Sequence, residues 1–154
     1  MKQKALFRVP PAPVRPTVVR DGCAIVVVIP GLRLVSEANC HEHWRVVAKR
    51  TKAQKATVDM VLRSLIATPL RPPVEVVITR TAPGRLDDDN LQGAGKHVRD
   101  AVAKWIGIDD GSRDFRCRVE QASAGRGVYA VTIRITPMVE TETQLCGRWA
   151  EVLG

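Results

Sequence analysis

Nowhere is this sequence apolar over the roughly 20 residues that a membrane-crossing helix needs. Its first residues, "MKQKALFRVPPAPVRP", lack the apolar core of a secretory signal peptide, so the reading is a cytoplasmic protein. No two of the four cysteines, Cys23, Cys40, Cys117 and Cys146, form a Cys-x-x-Cys pair, and no secretory context favours disulfides. Cys40 stands beside His41 and His43, but that spacing suits structural zinc poorly and no second ligand pair follows; a buried thiol beside surface histidines is the plainer reading. Internal repeats are also missing, and 154 residues suit one compact domain.

Acid, too, is in short supply. Lysine and arginine number 24 against 16 aspartates and glutamates, for a formal charge of +8. Such a balance points to an anionic partner, of which nucleic acid is the commonest.

Four of the ten prolines fall in residues 1–20, read here as an extended arm. "CAIVVVIPG" (23–31) is a short β-branched run and reads as a buried strand. Residues 40–66 read as a long helix with Trp44, Val47, Val58, Val61, Leu62 and Leu65 on its apolar side. Arg45, Lys49 and Lys52 share another face of it, which Arg50 and Lys55 widen; the choice is between a solvated surface and a phosphate-contacting one. The prolines of "TPLRPP" end that helix, and "VEVVITR" (74–80) is a second strand. "FRCRVEQ" (115–121) and "VYAVTIRITP" (128–137) alternate apolar and polar residues across a glycine-rich turn and read as an antiparallel hairpin. Residues 138–154 form a tail in which "CGRWAEVLG" suits a short helix. The expected fold is α+β, a small mixed sheet with two main helices packed on it and a closing β-hairpin, within residues 21–137.

The scarce acid is concentrated in "LDDDNLQGAGKHVRDAVAKWIGIDDG" (86–111). At about 100° per residue, Leu91, Ala94, Val98, Ala101, Val102 and Trp105 form one apolar face, with Asp89, Gly93, Lys96 and Asp100 opposite. Capping and the helix dipole account for one or two acids at the start of a helix. An Asp-Gly turn accounts for Asp109 and Asp110 taken alone. Taken together, acids at both ends would converge on one sheet edge if the flanking strands are neighbours. Clustered carboxylates repel one another, and a hard divalent cation such as Mg²⁺ offsets that repulsion and supports phosphodiester chemistry.

The stretch resembles the RusA family of Holliday junction resolvases. The resemblance rests on Asp87, Asp89 and Asn90 at the helix start, on Lys96 with Asp100 and Ala101, and on the pair Asp109 and Asp110 before the next strand. More loosely it spans residues 23–136. The family's lysine follows the asparagine by three residues, whereas here that place is Gly93 and Lys96 comes nearly a helical turn later. The resemblance implies a metal-dependent endonuclease cutting branched DNA such as four-way junctions, acting as a homodimer with Mg²⁺, or Mn²⁺ in its place. Asp87, Asp89 and Asp110 would be catalytic metal ligands, Asp109 would assist from beside the metal, and Lys96 would steady charge on the phosphate. Arg45, Lys49, Lys52 and Arg85 would contact DNA. The competing expectation is a branched- or duplex-DNA binding protein without catalysis.

Overall fold

The structure, a computed structural model, describes residues 15–38 and 41–138. Five strands and two helices follow in the order β1 (Thr17–Asp21), β2 (Ala24–Pro30), α1 (Trp44–Leu65), β3 (Val74–Ala82), α2 (Asp88–Ile106), β4 (Phe115–Ser123) and β5 (Ala130–Pro137). The fold is α+β, a five-stranded mixed sheet with two helices. Its spatial order is β1-β2-β5-β3-β4.

The sheet is built from a hairpin and a crossover joined by the last strand. Val28 of β2 pairs with Thr17 and Ala24 pairs with Asp21, so the hairpin turns on Gly22 and Cys23. Gly22 has φ 61, the left-handed conformation such turns ask for. The extended arm expected over residues 1–20 is therefore cut short, because Thr17–Arg20 already belong to a strand; residues 1–14 lie outside those described. An Asp-Gly dipeptide at 21–22 between two β-branched runs carried that signal.

β3 and β4 are parallel neighbours, from Val74↔Phe115 to Ala82↔Ser123, with α2 as the crossover between them. β5 is antiparallel to both β2 and β3 and lies between them. The two closing strands thus run antiparallel to each other, as their sequence indicates, but β3 separates them in the sheet. They make no directly bonded hairpin.

Apolar side chains alternate along the strands, and one face of the sheet is buried under the helices. Ile25, Val27, Val76, Ile78, Ile133 and Ile135 supply the strand half of this core, and Val58, Leu62, Val98 and Val102 the helix half. The residues between them, among them Arg116, Arg118 and Glu120, face outward on the uncovered side.

α1 departs from the expected stripe. His43 caps it, its Nδ1 accepting from Arg45 N at 3.2 Å, so the helix begins four residues later than the pattern suggests. Buried positions begin only at Gln54 and continue through Val58, Val61 and Leu62. Trp44 is 67% exposed, with Arg45 Cζ 5.2 Å from its ring centroid. The first half of α1 has no fully buried side chain among the described residues. Cys40, Cys146 and the tail helix suggested for "CGRWAEVLG" lie outside the described residues.

Candidate functional site

The acid-rich unit is one regular helix with a complete cap at each end. Asp87 is the N-cap: its Oδ1 accepts from Asn90 N and its Oδ2 from Asn90 Nδ2, both at 2.9 Å. Asn90 Oδ1 in turn accepts from Ser36 Oγ at 2.6 Å, tying the 31–38 loop to the start of α2. Asp88 and Asp89 occupy the first turn, where their charge complements the helix dipole. At the far end Gly107 takes the left-handed conformation, φ 85, and its N–H and that of Ile108 satisfy the last carbonyls. Asp109 Oδ1 then accepts from Gly111 N at 2.8 Å, closing a turn.

This placement separates the acids that were expected to share a metal. Nineteen residues of α2 at about 1.5 Å each put its two ends about 28 Å apart. β3 and β4 are neighbours, as the metal reading required, but they are parallel. A parallel crossover leaves from one edge of the sheet and returns to the opposite edge, so Asp87 and Asp89 lie at one edge and Asp109 and Asp110 at the other. Asp110 Oδ2 is 3.6 Å from Arg99 Nε. Among the described residues no group of three or more His, Cys, Asp or Glu side chains is placed to hold a metal ion. Three protein ligands for a Mg²⁺ or Mn²⁺ ion are therefore not gathered among the described residues of one chain. Lys96 is exposed on α2, and Asp100 pairs with Lys55 of α1 at 3.3 Å.

The other nominated residues, Arg45, Lys49, Lys52 and Arg85, are all exposed. Lys52 joins Lys55, Asp59, Asp100, Ala101 and Lys104 around a cleft of about 360 Å³ between α1 and α2. Its two carboxylates are already engaged, Asp100 by Lys55 and Asp59 by Arg63, whose Nε lies 2.9 Å from both oxygens. Lys52 and Lys104 face the cleft with no ion pair among the described residues.

Two polar features escape a reading by motif. Glu37, Thr51, Arg50 and His97 meet where the 31–38 loop, α1 and α2 converge: His97 Nε2 is 3.2 Å from Thr51 Oγ1 and 3.6 Å from Glu37 Oε2, which also faces Arg50. These residues come from three segments with no common spacing. Arg80 occupies a buried position of β3, where the alternation alone calls for an apolar side chain. That break in pattern was its signal.

No protein-family model matches the chain, and no curated protein does. The chain is similar to a solved periplasmic domain of MotB from Helicobacter pylori, at 7% identity over 88% of this chain and 90% of that one, with a TM-score of 0.45. A second MotB periplasmic-domain structure gives 8% identity over 93% and 85%, TM-score 0.44. The OmpA-like domain of FopA1 from Francisella tularensis gives 16% over 82% of each chain, TM-score 0.31. At those scores none of them passes a function to this chain.

The expectations drawn from the RusA family are corrected by the absence of any matching family model together with the geometry. The solved structures named are MotB periplasmic domains and an OmpA-like domain, not junction resolvases. Of the acids that carried the resemblance, Asp87 caps α2 and Asp109 closes a turn at the opposite sheet edge, while Asp100 and Asp110 face Lys55 and Arg99. The endonuclease, its non-catalytic DNA-binding alternative, the branched-DNA partner and the resolvase homodimer are withdrawn. The cytoplasmic location is withdrawn as well: it rested on what the first residues lack, and residues 1–14 lie outside those described. No helix among the described residues is long and apolar enough to cross a membrane.

Proposed function

We propose that the chain is a binding domain that takes a flexible acidic polymer in the cleft between α1 and α2. The observation that supports this reading is the charge balance of that cleft. Three ammonium groups line it, its two carboxylates are neutralised from within the fold, and Lys52 and Lys104 remain to meet an anion. Lysines act here as mobile point charges rather than as planar forks, which suits a ligand with repeated carboxylates and no fixed geometry. The exposed Arg45 and Lys49 extend the positive surface along α1.

Poly-L-glutamate titrated against the protein, followed by fluorescence anisotropy, tests the reading. Binding should weaken steeply as salt rises past a Debye length of about 8 Å. Lys52→Gln with Lys104→Gln should raise Kd about five- to tenfold. Arg116→Gln, on the uncovered sheet face, should leave it unchanged. Equal losses in both variants would mean nonspecific charge attraction, and the cleft would then hold no site.

A further inference from the structure

Arg80 is 8% exposed and forms no ion pair with any described carboxylate. Its Nε donates to Leu34 O at 3.1 Å and its Nη1 to Gly84 O at 2.8 Å. Both acceptors are neutral carbonyls, so a full charge is buried with only dipoles around it, an arrangement that is costly unless an anion completes it. The neighbourhood adds positive charge. Burial holds the Arg80 guanidinium below its ordinary range, and repulsion from Arg33 lowers it further. Arg33 is exposed, with its Cζ 4.6 Å from the Tyr129 ring centroid, and Arg85 follows the carbonyl that Arg80 grips. Neither has an ion pair among the described residues. Asp87, two residues after Arg85, has both oxygens committed to Asn90, and Glu37, four after Arg33, faces Arg50 and His97.

The loop that carries Arg85 is held in place. Gln121 accepts from Leu86 N at 3.0 Å and donates to Leu86 O at 2.8 Å, fixing residues 83–86 against β4. The opposite loop is fixed by Gln54, whose Nε2 donates to Arg33 O at 3.0 Å. Arg33 and Arg85 therefore stand on two pinned loops, and Arg80, near the carboxyl end of β3, is bonded to both loops.

We infer that Arg33, Arg80 and Arg85 form a binding site for a tetrahedral oxyanion, a phosphoryl or sulfuryl group. Planar guanidinium forks suit such groups, which accept paired N–H···O bonds in fixed directions. The site is separate from the cleft between α1 and α2, and stands or falls without it.

Thermal unfolding and isothermal titration of the full chain with sodium phosphate, sodium sulfate and sodium chloride at matched ionic strength test the inference. Phosphate and sulfate should raise the melting temperature above the chloride control. Arg33→Gln with Arg85→Gln, both exposed and so compatible with folding, should raise Kd for phosphate about tenfold or more. Arg80→Lys, which keeps the charge and loses the fork, should weaken phosphate binding too, whereas Lys52→Gln with Lys104→Gln should leave it intact. No gain over chloride, or equal gains in the wild type and the Arg33/Arg85 variant, overturns the inference and leaves Arg80 as a tie between two loops. Preference for phosphate over sulfate, or the reverse, identifies which group the site takes.

Discussion

Gly93 and Gly95 stand two positions apart in α2 and have opposite reasons for being glycine. A Cβ on Gly93 would meet nothing within 4 Å. One on Gly95 would come within 2.5 Å of Val119 Cγ2 and 2.9 Å of Cγ1. The helix approaches β4 so closely there that no side chain fits. Gly95→Ala should therefore destabilise the protein by about 1–3 kcal/mol through overpacking. Gly93→Ala should stabilise it by about 0.5–1 kcal/mol by removing a flexible residue from an exposed helix interior. Urea denaturation of both variants checks the pair, and similar effects of the same sign would contradict the packing account. "QGAG", which in the sequence resembles an insertion between Asn90 and Lys96, is a helix surface shaped to its sheet.

Cys117 gives a pH dependence. Burial pushes its thiol up to about 11, with Asp110 adding to the rise and Arg99 opposing it. The unfolded chain ionises this thiol from about pH 9, while the folded chain keeps the proton. The stability it contributes is full below pH 9 and is lost as pH rises through about 11. Between pH 8 and pH 10.5 the wild type should lose about 1 kcal/mol more than Cys117→Ala, read from denaturant midpoints at each pH.

At the scale of elements, α1 is two helices in energetic terms. From Gln54 onward it buries side chains on the sheet, and before that residue it buries none. Amide hydrogen exchange should be fast over residues 44–49 and slow over 54–65, because helical hydrogen bonds with little tertiary packing open at little cost. The acids of α2 belong to this scale too. Asp87→Ala should cost about 0.5–2 kcal/mol as a lost cap. Millimolar MgCl₂ should leave the wild-type melting temperature unchanged, since the ligand oxygens are distributed over both ends of the helix.

Much of this was legible. A β-branched run gave β2, the stretch after the prolines gave β3 and alternation gave β4 and β5, nearly to their ends, and the helical wheel of α2 named Leu91, Ala94, Val98, Ala101, Val102 and Trp105, all buried. The site was not legible, for a specific reason. Spacing places Asp87 and Asp110 on either side of one helix but is silent on whether the flanking strands run parallel or antiparallel. That single bit of topology decides whether the acids meet or face opposite edges. Likewise Trp44 fits an apolar stripe on paper, yet it is exposed, and the buried positions of α1 begin ten residues later at Gln54.

At the scale of the whole molecule, the last strand to be made is the middle of the sheet. Before β5 arrives, β1 and β2 form a two-stranded ribbon, and β3, α2 and β4 form a separate crossover unit. Neither piece has the other half of its core. During synthesis on a ribosome, the two halves must therefore wait, partly uncovered, until residues 130–137 have left the exit tunnel. A chain stopped after Ser123 should emerge with its two sheet halves linked only through α1 and α2 and readily cut by protease, and addition of the final strand should convert both to the protected form in one step.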